Sequence, residues 1–158
     1  MSAENVYIVS AKRTPIGVIN GSLASLPAHR LGGVVIKACL EVEPGVEFPP
    51  QRVDEVIMGQ VLTGGQGQNP VRQAAVLAGL PYSVPAWGVN MLCGSGLRSV
   101  VNGFQAIRGG DASAVVAGGM ESMSAANHVI NLRTPVKFGD VTQTDSMIKV
   151  ILRRRRRR

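Results

Sequence analysis

Four short apolar segments constrain this chain more than any other feature: VYIVSA (6–11), DEVIMGQVL (54–62), AWGVNM (86–91) and ASAVVAGG (112–119). Their length and apolar character, β-branched in VYIVSA, make each of them read as a strand. Segments of helical period lie between them. From Leu31, apolar residues recur as Val34, Val35, Ala38, Cys39 and Val42, and Pro44, Gly45 and two further prolines stop that helix. Asn69 followed by Pro70 reads as an N-cap and first helical residue opening PVRQAAVLAGL. Leu97, Val100, Val101, Phe104 and Ile107 stand at helical spacing, which predicts a helix with one apolar face turned to the sheet. Strand and helix alternating in units of this size demand right-handed crossovers. The fold class expected is α/β, a mainly parallel mixed sheet covered by helices.

A chain of 158 residues, 45% hydrophobic and 17% charged, has the size and composition of one globular domain with a real core. Two cysteines cannot build a disulfide framework, which points to a reducing compartment. No apolar run reaches the roughly 18–20 residues of a membrane-spanning helix. The opening MSAENVYIVS has neither a secretory leader's pattern nor an Arg-rich amphipathic start, so a cytoplasmic location is expected. The net charge of +7 is concentrated at one end. Six of the 17 basic residues are Arg153–Arg158, and without them 11 basic residues face 10 acidic ones. A folded basic face for nucleic acid is therefore not expected. The arginine run reads as a non-native extension, with counterion-release binding to nucleic acid or an anionic membrane as the alternative.

The third strand delivers the chain to NMLCGSGLRSV (90–100), where Cys93 stands between an apolar run and two glycines. Strand, cysteine, glycines and helix together resemble the physics of a nucleophile elbow. The strand's C-terminal end is where open α/β sheets bind ligands, and a helix N-terminus favours the thiolate. Gly94 and Gly96 leave clearance beside the sulfur for a bulky acyl carrier, and the Cys93 N–H is placed to stabilise an oxyanion. The residues alone leave a second reading open, an inert buried cysteine.

NMLCGSGLRSV, VVAGGMESMS, GQNPVRQAA and VSAKRTPIG, in that order, resemble the thiolase family, with similarity running from about Val6 to Lys149. CGSGL after the nucleophile, LRTPVKFGD and TDSMIK favour its short-chain, acetyl-CoA acetyltransferase branch. The resemblance implies that Cys93 takes an acetyl group as a thioester, in acetoacetyl-CoA synthesis or thiolysis. It implies no permanently bound cofactor, with coenzyme A thioesters as substrates: acetyl-CoA or acetoacetyl-CoA. It also implies homo-oligomers or association with full-length thiolase. The family's activating histidine and second cysteine lie in a C-terminal half with GHP and CxGGG-type motifs, neither of which occurs here. The chain thus resembles a shortened thiolase, expected to be inactive alone. It divides into a thiolase-like α/β domain (1–123), the start of a loop region (124–150) and a divergent arginine-rich tail (151–158).

The other reactive residues read as structural. His29, at the start of the first helix, is expected to be exposed or to cap it, and His128 to match a loop histidine of the family. Asn127 departs from the proline usual before that histidine. Cys39 is expected in the core. Met120 and Met123 are candidates to line the site, and Glu121 to hold the loop base rather than act as a base. Gly118 and Gly119 are expected to permit close packing beside the nucleophile. No phosphate-binding glycine motif and no metal-ligand spacing is present, so no metal is expected.

Overall fold

The computed structural model describes residues 5–133 and 136–149. In chain order its elements are α1 (Ala28–Leu40), β1 (Glu41–Glu43), β2 (Val46–Glu47), β3 (Glu55–Gly59), α2 (Pro70–Leu77), β4 (Ala86–Val89), α3 (Ser95–Gly109), β5 (Val115–Gly119), β6 (His128–Val129) and β7 (Thr144–Asp145). The centre is a three-stranded parallel sheet of order β4-β3-β5. Met58 stands opposite Gly88 and Gly118, and Gly59 opposite Val89 and Gly119. β1–β2 and β6–β7 are small antiparallel pairs outside it.

Two crossover helices cover opposite faces of this sheet. Val71 of α2 faces Gly88, on the side that Met58 also occupies, whereas the start of α3 lies against Gly59 and Gly119. α1 packs on α2, and the main core fills this layer with Ile36, Leu40, Val56, Met58, Val71 and Ala74. Each of these side chains larger than Ala74 contributes about 1.5–3 kcal/mol relative to its exposed state. Asn69 caps α2 as expected, its Oδ1 accepting from Arg72 N at 2.9 Å, and its Nδ2 donates to Ala86 O, which ties the helix to β4. The Arg72 guanidinium donates to the carbonyls of Tyr82 and Val84 and lies over the Tyr82 ring, fixing the approach to β4. Asp54 joins β3 to the approach to β5, accepting from Ser113 N at 2.7 Å and Ala114 N at 3.0 Å. These two amides hold its carboxyl below the ordinary 3.8, against a smaller desolvation and with added help from Arg52.

Both helix faces expected from periodicity are overturned. On α3 the residues against the sheet are Ser95, Ser99 and Gly103, while Leu97 is 72% exposed, Phe104 49% and Val100 also faces outward. On α1 the buried positions are Ala28, Gly32, Gly33, Ile36 and Leu40, and Val34 is exposed. The reason is distance. A Cβ on Gly32 would lie 3.3 Å from the Ala74 Cβ and closer still to the Met120 sulfur, so these elements meet almost backbone to backbone. Only small side chains fit at these closest points, and Val34, Leu97 and Phe104 are turned away from them.

Two further expectations change. Residues 6–11 form no strand, and Tyr7, Ile8 and Val9 are exposed. Strand propensity needs a ladder to act through, and none of the strands among the described residues pairs with this segment. The first helix begins at Ala28 and ends at Leu40, because Glu41 turns extended and Val42 enters the β1–β2 hairpin around Gly45. The fold class holds as expected, α/β with a parallel sheet covered by helices, and the antiparallel pairs among the described residues lie outside that sheet. Arg153–Arg158 and the boundary before them fall outside the described residues.

Candidate active site

β4 ends at Val89, and Asn90 to Gly94 make the turn that leads into α3. Cys93 is exposed on this turn, which removes the inert buried reading. Gly94 is the N-cap of α3, so Cys93 stands one residue ahead of the cap rather than on the first helical turn. Leu92, immediately before it, has φ 52, a left-handed conformation that a branched L residue rarely adopts. The turn is held by a dense set of bonds. Leu92 N donates to Asn90 Oδ1 at 3.1 Å, Gly94 N to Met91 O at 3.1 Å, and Ser95 N to Leu92 O at 3.0 Å. The Ser95 hydroxyl accepts from Met91 N at 2.8 Å and donates to Leu92 O at 2.6 Å.

The glycines near the cysteine pack the turn and the helix–sheet seam. Gly96 faces Gly119 across the helix–sheet seam, and a Cβ on Gly119 would stand 3.2 Å from the Gly96 Cα. A Cβ on Gly94 would meet the Met91 methyl at 2.7 Å. Gly94 thus serves the turn, and Gly96 lets Gly119 approach the start of α3. Gly119 does what was expected of it, and Gly118 accepts from the Ser99 hydroxyl at 2.6 Å.

Beside the turn opens a cavity of about 320 Å³, walled by Val61, Leu62, Thr63, Leu92, Asn127, Ser146 and Lys149 among others. Leu92 is the elbow's contribution, and Cys93 stands outside this lining. Glu121 shapes the cavity from below, its carboxylate accepting from Val61 N at 2.8 Å and Leu62 N at 3.3 Å. That is the loop-base role expected of it. Asn127 uses its side chain as proline could not: with its amide oriented to donate, it reaches Gly64 O at 3.0 Å and Ala125 O at 3.1 Å.

The remaining candidates are not gathered at the cysteine. His29 is half-buried in the first turn of α1, in the layer across the sheet from α3, and Pro27 rather than histidine occupies the N-cap. His128 is exposed and stands 4.0 Å from Asp145, the pair closing β6 on β7. Cys39 is half-buried rather than in the core. Met120 is buried against α1 and Met123 exposed, so neither lines the cavity.

Cys93 is thus an exposed cysteine on a turn with a left-handed residue, at the carboxyl end of a parallel sheet and ahead of a helix, where open α/β sheets bind ligands. The family model described as the thiolase N-terminal domain matches residues 6–155. The chain belongs to the thiolase family. The acetyl-CoA acetyltransferase of Rhizobium meliloti (strain 1021) is 56% identical over 149 residues, covering 94% of this chain and 37% of that protein. The cytosolic acetyl-CoA acetyltransferase of Rattus norvegicus is 53% identical over 146 residues, covering 92% of this chain and 36% of its own length. That of Cupriavidus necator is 57% identical over 145 residues, 91% of this chain and 36% of its own. This thiolase chain thus spans a little over one third of the length of these curated relatives.

The cavity walls of the thiolase chain escaped sequence reading. Residues 61–64, 92, 127 and 146–149 come from separate loops that only the fold assembles. Ser95 carried a legible signal, a small hydroxyl residue two positions past the cysteine at a helix start.

Proposed function

We propose that this chain presents the nucleophile of an acetyl-CoA C-acetyltransferase. The Cys93 sulfur attacks the carbonyl carbon of acetyl-CoA, the carbon–sulfur bond to coenzyme A breaks, and the displaced thiolate takes a proton. The acetyl group then rests on Cys93 as a thioester, with the Cys93 N–H as an oxyanion donor. Coenzyme A thioesters enter as substrates, with no resident cofactor. The observation that carries this reading is the exposed Cys93 on its left-handed elbow, in a chain matched to the thiolase N-terminal domain. Condensation to acetoacetyl-CoA requires a base and a second cysteine, which the resemblance places in the part of the relatives this chain does not span. Turnover of acetoacetyl-CoA by the chain alone is therefore expected to be absent, since catalytic groups act as a unit. A cytoplasmic location is part of the same reading, supported by the rat relative described as cytosolic.

Association with thiolase polypeptides, its own copies included, is a companion reading. It is favoured by the outward Leu97, Val100 and Phe104 of α3. Sedimentation at micromolar concentration in low and high salt tests it, and a sharp monomer in both refutes it.

The nucleophile assignment is tested by incubating the chain with acetyl-CoA and mapping acetylated peptides. Acetyl on Cys93 and not on Cys39, lost in Cys93→Ser, is the expected result. Preferential modification of Cys39 sinks the assignment.

A further inference from the structure

We infer that Ser95 is the positioning residue of the Cys93 elbow: its hydroxyl, bonded on both sides of Leu92 and seconded by the Asn90 side chain, holds Leu92 in the left-handed conformation that presents the sulfur. The inference rests on the reading of Cys93 as nucleophile, and names the group that keeps it ready.

Leu92 at φ 52 is one of two non-glycine residues with positive φ among the described residues. Such a backbone state persists only where its surroundings over-determine it. Here the over-determination converges on one side chain. Ser95 is 4% exposed, and its Oγ both accepts from Met91 N at 2.8 Å and donates to Leu92 O at 2.6 Å. One hydroxyl thus grips the amide before Leu92 and the carbonyl after its Cα, so a rotation about the Leu92 φ or ψ breaks a bond to it. The Asn90 side chain adds a third point at Leu92 N. Ser95 itself cannot drift. A Cβ on Gly59 would overlap the Ser95 carbonyl carbon and Cβ, so the helix start is seated directly on β3. The line of support runs from the rigid sheet, through Ser95, to the turn that carries Cys93. A thiol on an unsupported turn would still be exposed to small reagents, but would not hold the aim that an acyl thioester needs.

The experiment uses the 158-residue chain with Ser95→Ala, Ser95→Thr, Leu92→Gly and the double variant Leu92→Gly/Ser95→Ala. Each is treated with acetyl-CoA and, separately, with iodoacetamide, and modification at Cys93 and Cys39 is quantified by peptide mass. Ser95→Ala is expected to slow acetylation of Cys93 about tenfold relative to its alkylation, the scale of a strained residue losing its support. Ser95→Thr, which keeps the hydroxyl, should hold the ratio within about twofold of the parent. Ser95→Ala should cost less than about threefold when residue 92 is glycine, for which positive φ carries no penalty. An unchanged ratio in Ser95→Ala overturns the inference, as does an equal effect on both reagents accompanied by altered Cys39 labelling, which marks a general loss of fold. If the parent chain is alkylated but never acetylated at Cys93, the acyl-transfer reading fails separately. Amide hydrogen exchange across Leu92–Ser95 then decides the positioning. Exchange about tenfold faster in Ser95→Ala and restored in Ser95→Thr upholds it, and unchanged exchange overturns it.

Discussion

Adding one methyl group at Gly59 should disturb the whole helix–sheet seam beneath Cys93. In Gly59→Ala the new Cβ would have to stand 2.5 Å from Gly96 N and 2.7 Å from the Ser95 Cβ. Carbon contacts rest near about 3.5–4.0 Å, so the first turn of α3 must withdraw by about 1 Å. The obstructing atoms include helix backbone, which cannot rotate aside as a side-chain tip can. Overpacking of this kind costs about 1–3 kcal/mol, only partly offset by the roughly 0.5–1 kcal/mol that alanine regains over glycine within a strand. For a chain of this size, 1 kcal/mol moves the melting temperature by about 2–4 °C, so a fall of several degrees is expected. Thermal unfolding followed by circular dichroism measures it, with Gly64→Ala as the control. A Cβ on Gly64 meets nothing within 4 Å, and that variant should melt within about 1 °C of the parent. If Gly59→Ala also melts within about 1 °C of the parent, the helix start does not sit on β3 as closely as the seam requires, and the support argued for the Cys93 elbow falls with it.

Two further outcomes test other parts of the structure. Leu97→Lys, on the outward face of α3, should change stability by less than about 0.5 kcal/mol in urea unfolding. Ser99→Leu, at a position 0% exposed whose hydroxyl donates to Gly96 O and Gly118 O, should lose about 2 kcal/mol or more, and the opposite order would restore an inward apolar stripe. The carboxyl of Asp54 is held below its ordinary 3.8 by the Ser113 and Ala114 amides, so its contribution is complete above that value and is lost as pH falls through the lower folded-state value. Urea midpoints measured from pH 6 down to pH 3 should therefore fall less steeply at the acid end in Asp54→Asn than in the parent, and parallel profiles would contradict the linkage.

The local order of the chain was legible because it is carried by short-range chemistry. Asn69 and Pro70 announced the start of α2 through a cap that needs only a side-chain oxygen and a missing N–H. The short apolar run before Cys93 and the helical period after it placed the cysteine at a strand-to-helix turn, and the motifs around it were specific enough to name the family. Glu121 could be read as a loop anchor for the same local reason. Periodicity, in contrast, identified α1 and α3 as helices but misassigned their buried faces. Burial depends on how closely two elements approach, and Gly32, Gly59, Gly103 and Gly119 bring them so near that serine and glycine lie inside while Leu97 and Phe104 face out. The strand-like residues 6–11 failed likewise, since a strand exists only through a partner that its own sequence does not supply. The cavity beside the elbow was illegible for the same physical reason: its walls come from loops near residues 61–64, 127 and 146–149, distant along the chain and brought together only by the parallel sheet and the long-range bonds of Glu121 and Asn127. The sequence by itself determined where the chain turns and where α2 is capped; the tertiary structure alone decided which faces are buried and what surrounds Cys93, because close approach between elements is a property of pairs of segments and is written in neither one.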